Sequence, residues 1–435
     1  MDEERFFAML LNTMREARRN KRYGKDCSDF EMNWAPLLVR MMRRLQAREF
    51  RVNKNYAFLT SVPKWREIFA TFFEGRIADH LLCDTLAPYI ARELHPRTFN
   101  NRPGMGSQAA INQVIEDIYV VSNGYAEPCR IIKWDLKGYF PNAVNDEVEK
   151  GFARLIEKYR PELARDYDEE FPNFLRWLAM VCVHSCPAKH CELRTPKHFW
   201  PEHIVPEKSL FGKPDGIGAP IGRLPSQIGM GLYLNPEVEW LNEECGIRAT
   251  LFMDDCVEIV PERLHGYALS LMPELRKRLS AKGIRLNEKK FYDQPYFHGL
   301  EFLGSHIEIG RVHVNNCTVG RAIHRIEEFN TMPDKRIYID NVLSSINSYT
   351  GLLKARTDRK RLEWLISIVG DYWKNIFDWD KERLCYICKQ NYAIRERLSA
   401  KYHLKTNHHD KARNSRPKES GAKADFRSGI VPFAN

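Results

Sequence analysis

The stretch Ala249-Thr-Leu-Phe-Met-Asp-Asp-Cys-Val-Glu-Ile-Val260 constrains the fold more than any other in the chain. Two apolar runs flank Asp254 and Asp255, and each is the length of one short strand. A tight turn between them predicts a hairpin that carries two adjacent carboxylates at the exposed end of a sheet. Such a pair suits hard, oxygen-seeking cations such as Mg2+. Taken alone it reads as an ordinary Asp-rich turn, so a functional role needs support from elsewhere in the chain.

With 435 residues, 43% of them hydrophobic, the chain can bury a large core spread over two or three subdomains. Lys and Arg number 67 against 57 Asp and Glu, a formal charge of +10. That surplus favours a polyanionic partner, nucleic acid first and an anionic membrane surface second. No apolar run approaches the ~20 residues of a membrane helix. The start of the chain, Met1-Asp-Glu-Glu-Arg-Phe-Phe-Ala, shows no secretory signal, and eleven cysteines fit reduced thiols or metal ligands better than a disulfide scaffold. A cytoplasmic protein without membrane contact is expected.

Residues 3 to 50 predict two amphipathic helices with basic clusters at 15–22 and at Arg43, Arg44 and Arg48, which as charge runs are first of all solvated helix faces. A short strand at 56–60 precedes a segment in which Arg66 and Arg76 flank apolar residues, as cations beside a phosphate site would. After a helix over 76–93, Arg102 stands ahead of Gly104 and Gly106, a flexible loop with a candidate phosphate clamp. A helix over 107–122 follows, then a strand ending at Asp135 before Gly138 and two aromatics. Helices over 145–183 lead into a Cys/His-rich insertion. Residues 216–234 read as a Gly/Pro loop feeding a helix of small residues, which implies a close backbone neighbour. Beyond the Asp-Asp hairpin come a helix over 263–282, Leu286-Asn-Glu-Lys-Lys290, a strand pair around 299–307 and a helical stretch over 319–378. Composition after residue 409 predicts a disordered basic tail.

This order of segments resembles bacterial reverse transcriptases across roughly residues 50–370. The similarity is carried by Asp135-Leu-Lys-Gly-Tyr-Phe140, Pro220-Ile-Gly-Arg-Leu-Pro-Ser-Gln227, Phe252-Met-Asp-Asp255, Leu286-Asn-Glu-Lys-Lys290 and Gly299-Leu-Glu-Phe-Leu-Gly304. Each is weak alone; five in order are a strong signal. The resemblance implies an α+β right-hand polymerase: a basic helical region at 1–50, fingers at 51–128, a palm with an antiparallel sheet at 129–310, and a helical thumb at 311–380. The palm would include the insertion 182–212 and a primer grip at 299–305. It further implies that Asp135, Asp254 and Asp255 gather at one end of the palm sheet, Asp135 and Asp254 being the foremost ligands of two Mg2+ ions ~4 Å apart. Arg66, Arg76 and Arg102 match finger positions near an incoming dNTP, Phe140 matches a steric gate against a ribose 2′-hydroxyl, and Lys290 or its neighbour Lys289 matches a lysine that approaches the pyrophosphate. Plain alternatives are a core Phe140 and exposed lysines.

A narrower resemblance lies in Ile221-Gly-Arg-Leu-Pro-Ser-Gln227, where most reverse transcriptases carry Gln-Gly and end in Ser-Pro. This form, with Gln227, is similar to enzymes of diversity-generating retroelements, which copy a template RNA with errors at adenines. Cys186-Pro, Cys191-Glu-Leu-Arg, Lys208-Ser-Leu-Phe211 and Ser344-Ser-Ile-Asn-Ser-Tyr349 resemble the same group. Stand-alone antiviral-defence reverse transcriptases, which pair with a noncoding RNA and make cDNA, share much of the pattern. Phe252 replaces the usual Tyr of the metal box, leaving the carboxylates intact. The function implied is RNA-directed DNA synthesis with a template or noncoding RNA, an RNA–cDNA duplex and dNTPs as partners, and an accessory protein or further subunit as a candidate addition. A catalytically inactive RNA-binding module is the alternative from another class; the intact aspartates and Phe140 speak against it.

Two clusters invite a zinc reading. Cys385, Cys388, His403 and His408 (or His409 in its place) have the spacing of a tetrahedral site, and Tyr392 and Leu398 sit where a ββα finger places its core, so residues 381–409 form a candidate zinc finger ahead of the basic tail at 410–435. Cys182, His184, Cys186, His190 and Cys191 match no common finger spacing and read better as buried thiols with ordinary histidines.

Overall fold

The computed structural model describes residues 2–19, 21, 24–60, 64–332 and 339–389. The chain divides after Pro295 into two compact units. Helices and largely antiparallel sheets alternate along it, in keeping with the expected α+β class. No helix among the described residues is long and apolar enough to cross a membrane.

The first unit opens with α1 (Glu3–Ala17), α2 (Lys25–Met32) and α3 (Trp34–Gln46). Phe6, Leu10, Met14 and Ala17 recur at helical spacing on α1 and are buried, while Asp2 caps the helix by accepting the Arg5 N–H at 2.8 Å. The basic clusters here are partly neutralised: Arg18 pairs with Glu31, Arg19 with Glu16 and Arg44 with Glu74. Next come β1 (Asn55–Thr60) and β2 (Arg66–Thr71), an antiparallel hairpin, and α4 (Phe73–Glu93), which is buried along most of its length. α5 (Ser107–Val121) precedes β3 (Cys129–Asp135), and α6 (Asn145–Lys158), α7 (Arg160–Asp166) and α8 (Phe171–Val183) follow.

The insertion contributes β4 (Cys191–Leu193), which adds to β1 in parallel, and the short α9 (Trp200–His203). Its anchor is the buried Glu67 of β2. That carboxylate accepts from Trp200 Nε1 at 2.7 Å, Ser209 Oγ at 2.6 Å and the Leu210 N–H at 2.7 Å.

α10 (Leu224–Glu239) is the helix of small residues, and the expected close neighbour is there. A Cβ on Gly229 would lie 2.6 Å from Val148 and 2.9 Å from Phe152, so α10 can touch α6 only with glycine at this position. β5 (Arg248–Phe252) and β6 (Asp255–Pro261) form the predicted hairpin, followed by α11 (His265–Ala281) and β7 (Tyr292–Pro295). The strand order β5-β6-β3-β7, antiparallel throughout, makes the central sheet.

The second unit starts with a meander of β8 (Leu300–Phe302), β9 (Ser305–Glu308) and β10 (Arg311–Val314). Leu303 and Gly304, both at positive φ, make its two-residue turn, so the expected grip segment 299–305 is a tight hairpin that belongs to this unit. Four helices follow, α12 (Asn316–Thr331), α13 (Ile339–Ala355), α14 (Arg359–Ser367) and α15 (Asp371–Ile376). They enclose Ile326, Phe329, Ile346, Leu365 and Trp373. β11 (Phe377–Asp380) and β12 (Cys385–Cys388) close the described part as a hairpin.

Candidate active site

Strand register brings the aspartates together. On the β3–β6 ladder Asp135 faces Asp255, and directly opposed residues project to the same side of a sheet. Lys133, two residues before Asp135, shares that side, and its Nζ stands 3.1 Å from Asp255 Oδ1. The alternate residues Ile132, Trp134 and Cys256 project into the main core on the other side. Asp254 lies on the two-residue turn between β5 and β6, where Met253 takes φ 58°, a left-handed conformation unusual for a side-chain-bearing residue. The Asp254 carbonyl accepts the Leu136 N–H at 3.2 Å, which ties the turn to the strand end that carries Asp135.

The segment after α11 reaches the same point. Asn287 donates its backbone N–H to the Asp135 carbonyl at 2.8 Å and its side-chain amide to Asp135 Oδ1 at 3.1 Å. Lys290 Nζ lies 2.5 Å from Asp135 Oδ2. Of the two lysines considered for this role, the structure brings Lys290 to the aspartates. Burial works against its charge, but its hydrogen bond to Asp135 and the charges of Asp135, Asp254 and Asp255 raise its pKa. Burial also raises Asp254, with the charge of Asp135 adding to the effect. Asp255 is raised by burial too, and Lys133 opposes the shift. Crowded carboxylates of this kind are stabilised by any cation that reaches them.

Cations lie within electrostatic reach of this edge. Lys64, just before β2, is exposed by area, yet desolvation by the surrounding protein lowers its pKa. The charges of Arg66, Lys290 and Lys208 press the same way, and Asp254 opposes them. Arg66 opens β2 and is exposed. Phe140, half-buried, sets its ring edge-on to Tyr139 at 5.6 Å. Its carbonyl accepts the Ala219 N–H at 2.8 Å, so the Gly/Pro loop is laced to the turn after Asp135. The loop is laced to β2 as well: Phe69 N–H donates to Ile221 O at 2.8 Å, and a Cβ on Gly222 (φ 111°) would lie 2.8 Å from Phe69 O. Gln227 sits half-buried in the first turn of α10, where its carbonyl accepts from Asn101 Nδ2 at 2.6 Å.

Two of the arginines are engaged by the protein itself. Arg102 donates to the carbonyls of Leu94 at 3.0 Å and His95 at 2.8 Å, and also to that of Thr98. It therefore caps the C-terminal end of α4, and its guanidinium is engaged by backbone rather than offered to a phosphate. Arg76 has its pKa lowered by burial, with Asp79 and Asp26 opposing, and lines a cavity of about 40 Å3 with Thr71, Asp79, His80 and Gly222.

Neither Cys/His cluster assembles a metal site among the described residues. Cys385 and Cys388 lie three apart on β12, which places them on opposite faces of the strand; Cys388 packs towards the core with Tyr386. His403 and His408 lie outside the described residues, as do Tyr392 and Leu398. In the insertion, Cys182 is buried beside the Arg223–Asp79 pair, and His184 Nε2 meets Glu149 Oε2 at 2.8 Å.

Sequence reasoning missed Lys133, Asn287, Lys64 and Arg223. Lys133 was findable from the period of two along β3. Arg223, almost wholly buried, makes a bidentate pair with Asp79 and donates to Cys182 O at 2.8 Å, joining α10 to α4 and α8. Nothing local announces that partnership, since Asp79 lies 144 residues away.

The donor set of the central edge, three carboxylates with no soft ligand, fits Mg2+ by its chemistry. Among the described residues no three His, Cys, Asp or Glu side chains converge enough to enclose an ion; here Lys290 and Lys133 neutralise Asp135 and Asp255.

No protein-family model matches the chain, and no curated protein matches it. Solved structures to which it is similar include three of yeast telomerase. Apo telomerase from Candida tropicalis truncated from its C-terminal domain is 12% identical, with a TM-score of 0.40 over 61% of this chain and 55% of that one. Candida albicans telomerase in complex with a fragment of telomeric RNA is 11% identical, with a TM-score of 0.42 over 74% and 56%. Apo telomerase from Candida tropicalis is 11% identical, with a TM-score of 0.43 over 75% and 59%. The chain thus spans little more than half the length of each.

Proposed function

We infer that this chain is an RNA-directed DNA polymerase, a nucleotidyltransferase that extends a primer by copying an RNA strand. The observation that carries this is the meeting of Asp135, Asp254 and Asp255 at one end of the central sheet, with Lys290 2.5 Å from Asp135. Asp135, Asp254 and Asp255 would hold Mg2+, which when bound supplies activation of a hydroxyl and charge neutralisation on the phosphates. The chain's own groups do the rest, since phosphoryl transfer depends mostly on positioning and charge. Asn287 fixes the orientation of Asp135. Arg66 offers a cation to a triphosphate, and Lys290 stands ready to give a proton to the departing pyrophosphate. Phe140, half-exposed at the end of the turn after Asp135, would lie against the sugar and exclude a 2′-hydroxyl. The fingers, palm and thumb of a right hand would correspond to the β1–β2 hairpin with its helices, the central sheet, and the helices of the second unit.

The +10 charge supports a structured RNA as the standing partner. The Ile221–Gln227 form of the loop, which enters α10 beside Phe69 and Phe140, favours error-prone copying of a template RNA in a diversity-generating element. The test is sequencing of the RNA that co-purifies with the chain, together with the cDNA made on adding dNTPs and Mg2+. A cDNA matching one bound RNA except at adenines is expected. A faithful or repetitive product from a short noncoding RNA would move the enzyme to phage defence. Bound RNA with no product would leave only a binding module.

A further inference from the structure

The insertion does something that the polymerase reading leaves unused. The rings of Phe199, His203 and Trp65 are nearly parallel: His203 lies 3.8 Å from Trp65 at 8° and 6.3 Å from Phe199 at 6°. Phe199 and His203 belong to the insertion, whereas Trp65 stands at the end of the β1–β2 hairpin and is 44% exposed. The insertion is also anchored by the three hydrogen bonds that Glu67 accepts. Trp65 is also placed between Lys64 and Arg66, in a group of cations completed by Lys208 of the insertion and Lys290, with Asp254 as the opposing charge.

We propose that this ladder is a stacking platform for an unpaired nucleobase, with Lys64 and Lys208 holding the flanking phosphates. A half-exposed indole at the end of a stack offers flat apolar area, and every nucleobase has a matching face. The cations beside it supply what such a strand brings with each base, a negative phosphate. A duplex hides its base faces within its own stack, so the platform selects single strands. RNA and single-stranded DNA share this chemistry. Naming the bound strand as the template ahead of the aspartates rests on the polymerase reading; the platform itself does not.

The test uses the full chain and fluorescein-labelled oligo(U) and oligo(dT) of equal length, with a blunt duplex as control, titrated by anisotropy over a range of salt. Trp65→Ala is expected to weaken both single strands about tenfold, about 1.4 kcal/mol. It should leave the slope of log K against log salt unchanged, because the cations that meet the phosphates all remain. Trp65→Phe should restore most of the affinity. Lys64→Ala with Lys208→Ala should instead flatten the salt slope by about 0.7 for each phosphate no longer neutralised. A weaker oligo(U) than oligo(dT), or the reverse, identifies which strand the platform serves. Unchanged single-strand affinity in Trp65→Ala, or an equal loss on the duplex, overturns the proposal. Nucleotide incorporation is followed separately: a chain that binds through Trp65 and incorporates nothing keeps the platform and loses the polymerase.

Discussion

Glu258 lies at the middle of β6, three residues beyond Asp255, wholly buried on the face opposite the aspartates. Its carboxylate accepts a hydrogen bond from Trp134 Nε1 at 2.6 Å, and its Oε2 has no partner among the described residues. Burial pushes its carboxyl up from 4.5 to about 7, against the Trp134 bond, which favours the charged form. The folded pKa is thus above the unfolded one. Protons are bound more tightly in the folded protein, so the contribution is fully present below pH 4.5 and is lost as pH rises towards about 7. At about 1.4 kcal/mol per pH unit of difference, the loss amounts to roughly 3 kcal/mol. Glu258→Gln keeps the acceptor for Trp134 and cannot ionise. Urea unfolding of both proteins at about pH 5 and pH 8, followed by circular dichroism, should show the variant gaining roughly 2–3 kcal/mol on the parent between the two pH values. The absolute stability of the variant does not matter, because the amide has its own unmet donor; only the change with pH does. A stability difference that stays constant across that range would refute a neutral buried carboxyl beneath the site.

Three further outcomes are expected. Arg223→Met strands Asp79 in the core and should cost about 3–5 kcal/mol in urea unfolding, with much of the loss recovered by adding Asp79→Asn; a loss below about 1 kcal/mol would show the pair to be dispensable. Lys290→Ala should lower kcat for nucleotide incorporation about 100-fold with little change in KM, while Lys289→Ala leaves it unaffected. Equal effects of the two changes would remove Lys290 from its role. Phe140→Ala should cut the preference for dNTP over NTP about 100-fold in single-nucleotide incorporation, and an unaltered preference would return Phe140 to the core.

The central hairpin was legible because everything it needs is local. Apolar runs of strand length flank a pair of residues suited to a turn, and the turn carries the carboxylates with it. The strand ending at Asp135 was legible for the same reason. What periodicity does not reveal is which strand faces which, and so Lys133 came to notice only when the β3–β6 register placed it beside Asp255. Arg102 shows what glycine flanks leave out. Its glycine-flanked setting suggested a phosphate clamp, but in the fold its guanidinium donates to the carbonyls of Leu94 and His95, in the segment just past α4. The choice between Lys289 and Lys290 depended on the path of the chain after Leu286, whose bridge to Leu136 aims Lys290 at Asp135. Cys385 and Cys388 have the spacing of zinc ligands and lie on one strand, β12, while the histidines of that reading fall outside the described residues. The small-residue helix was legible in kind, since so little bulk demands a close neighbour. The identity of that neighbour was not, because α6 lies far earlier in the chain.

The most direct measurement is incorporation of a labelled dNTP on a primed RNA template with Mg2+, comparing the parent chain with Asp254→Ala plus Asp255→Ala. Incorporation by the parent and its loss in the variant, with RNA binding retained, is the predicted result. Synthesis that persists without the two carboxylates would contradict the placing of the chemistry at this hairpin.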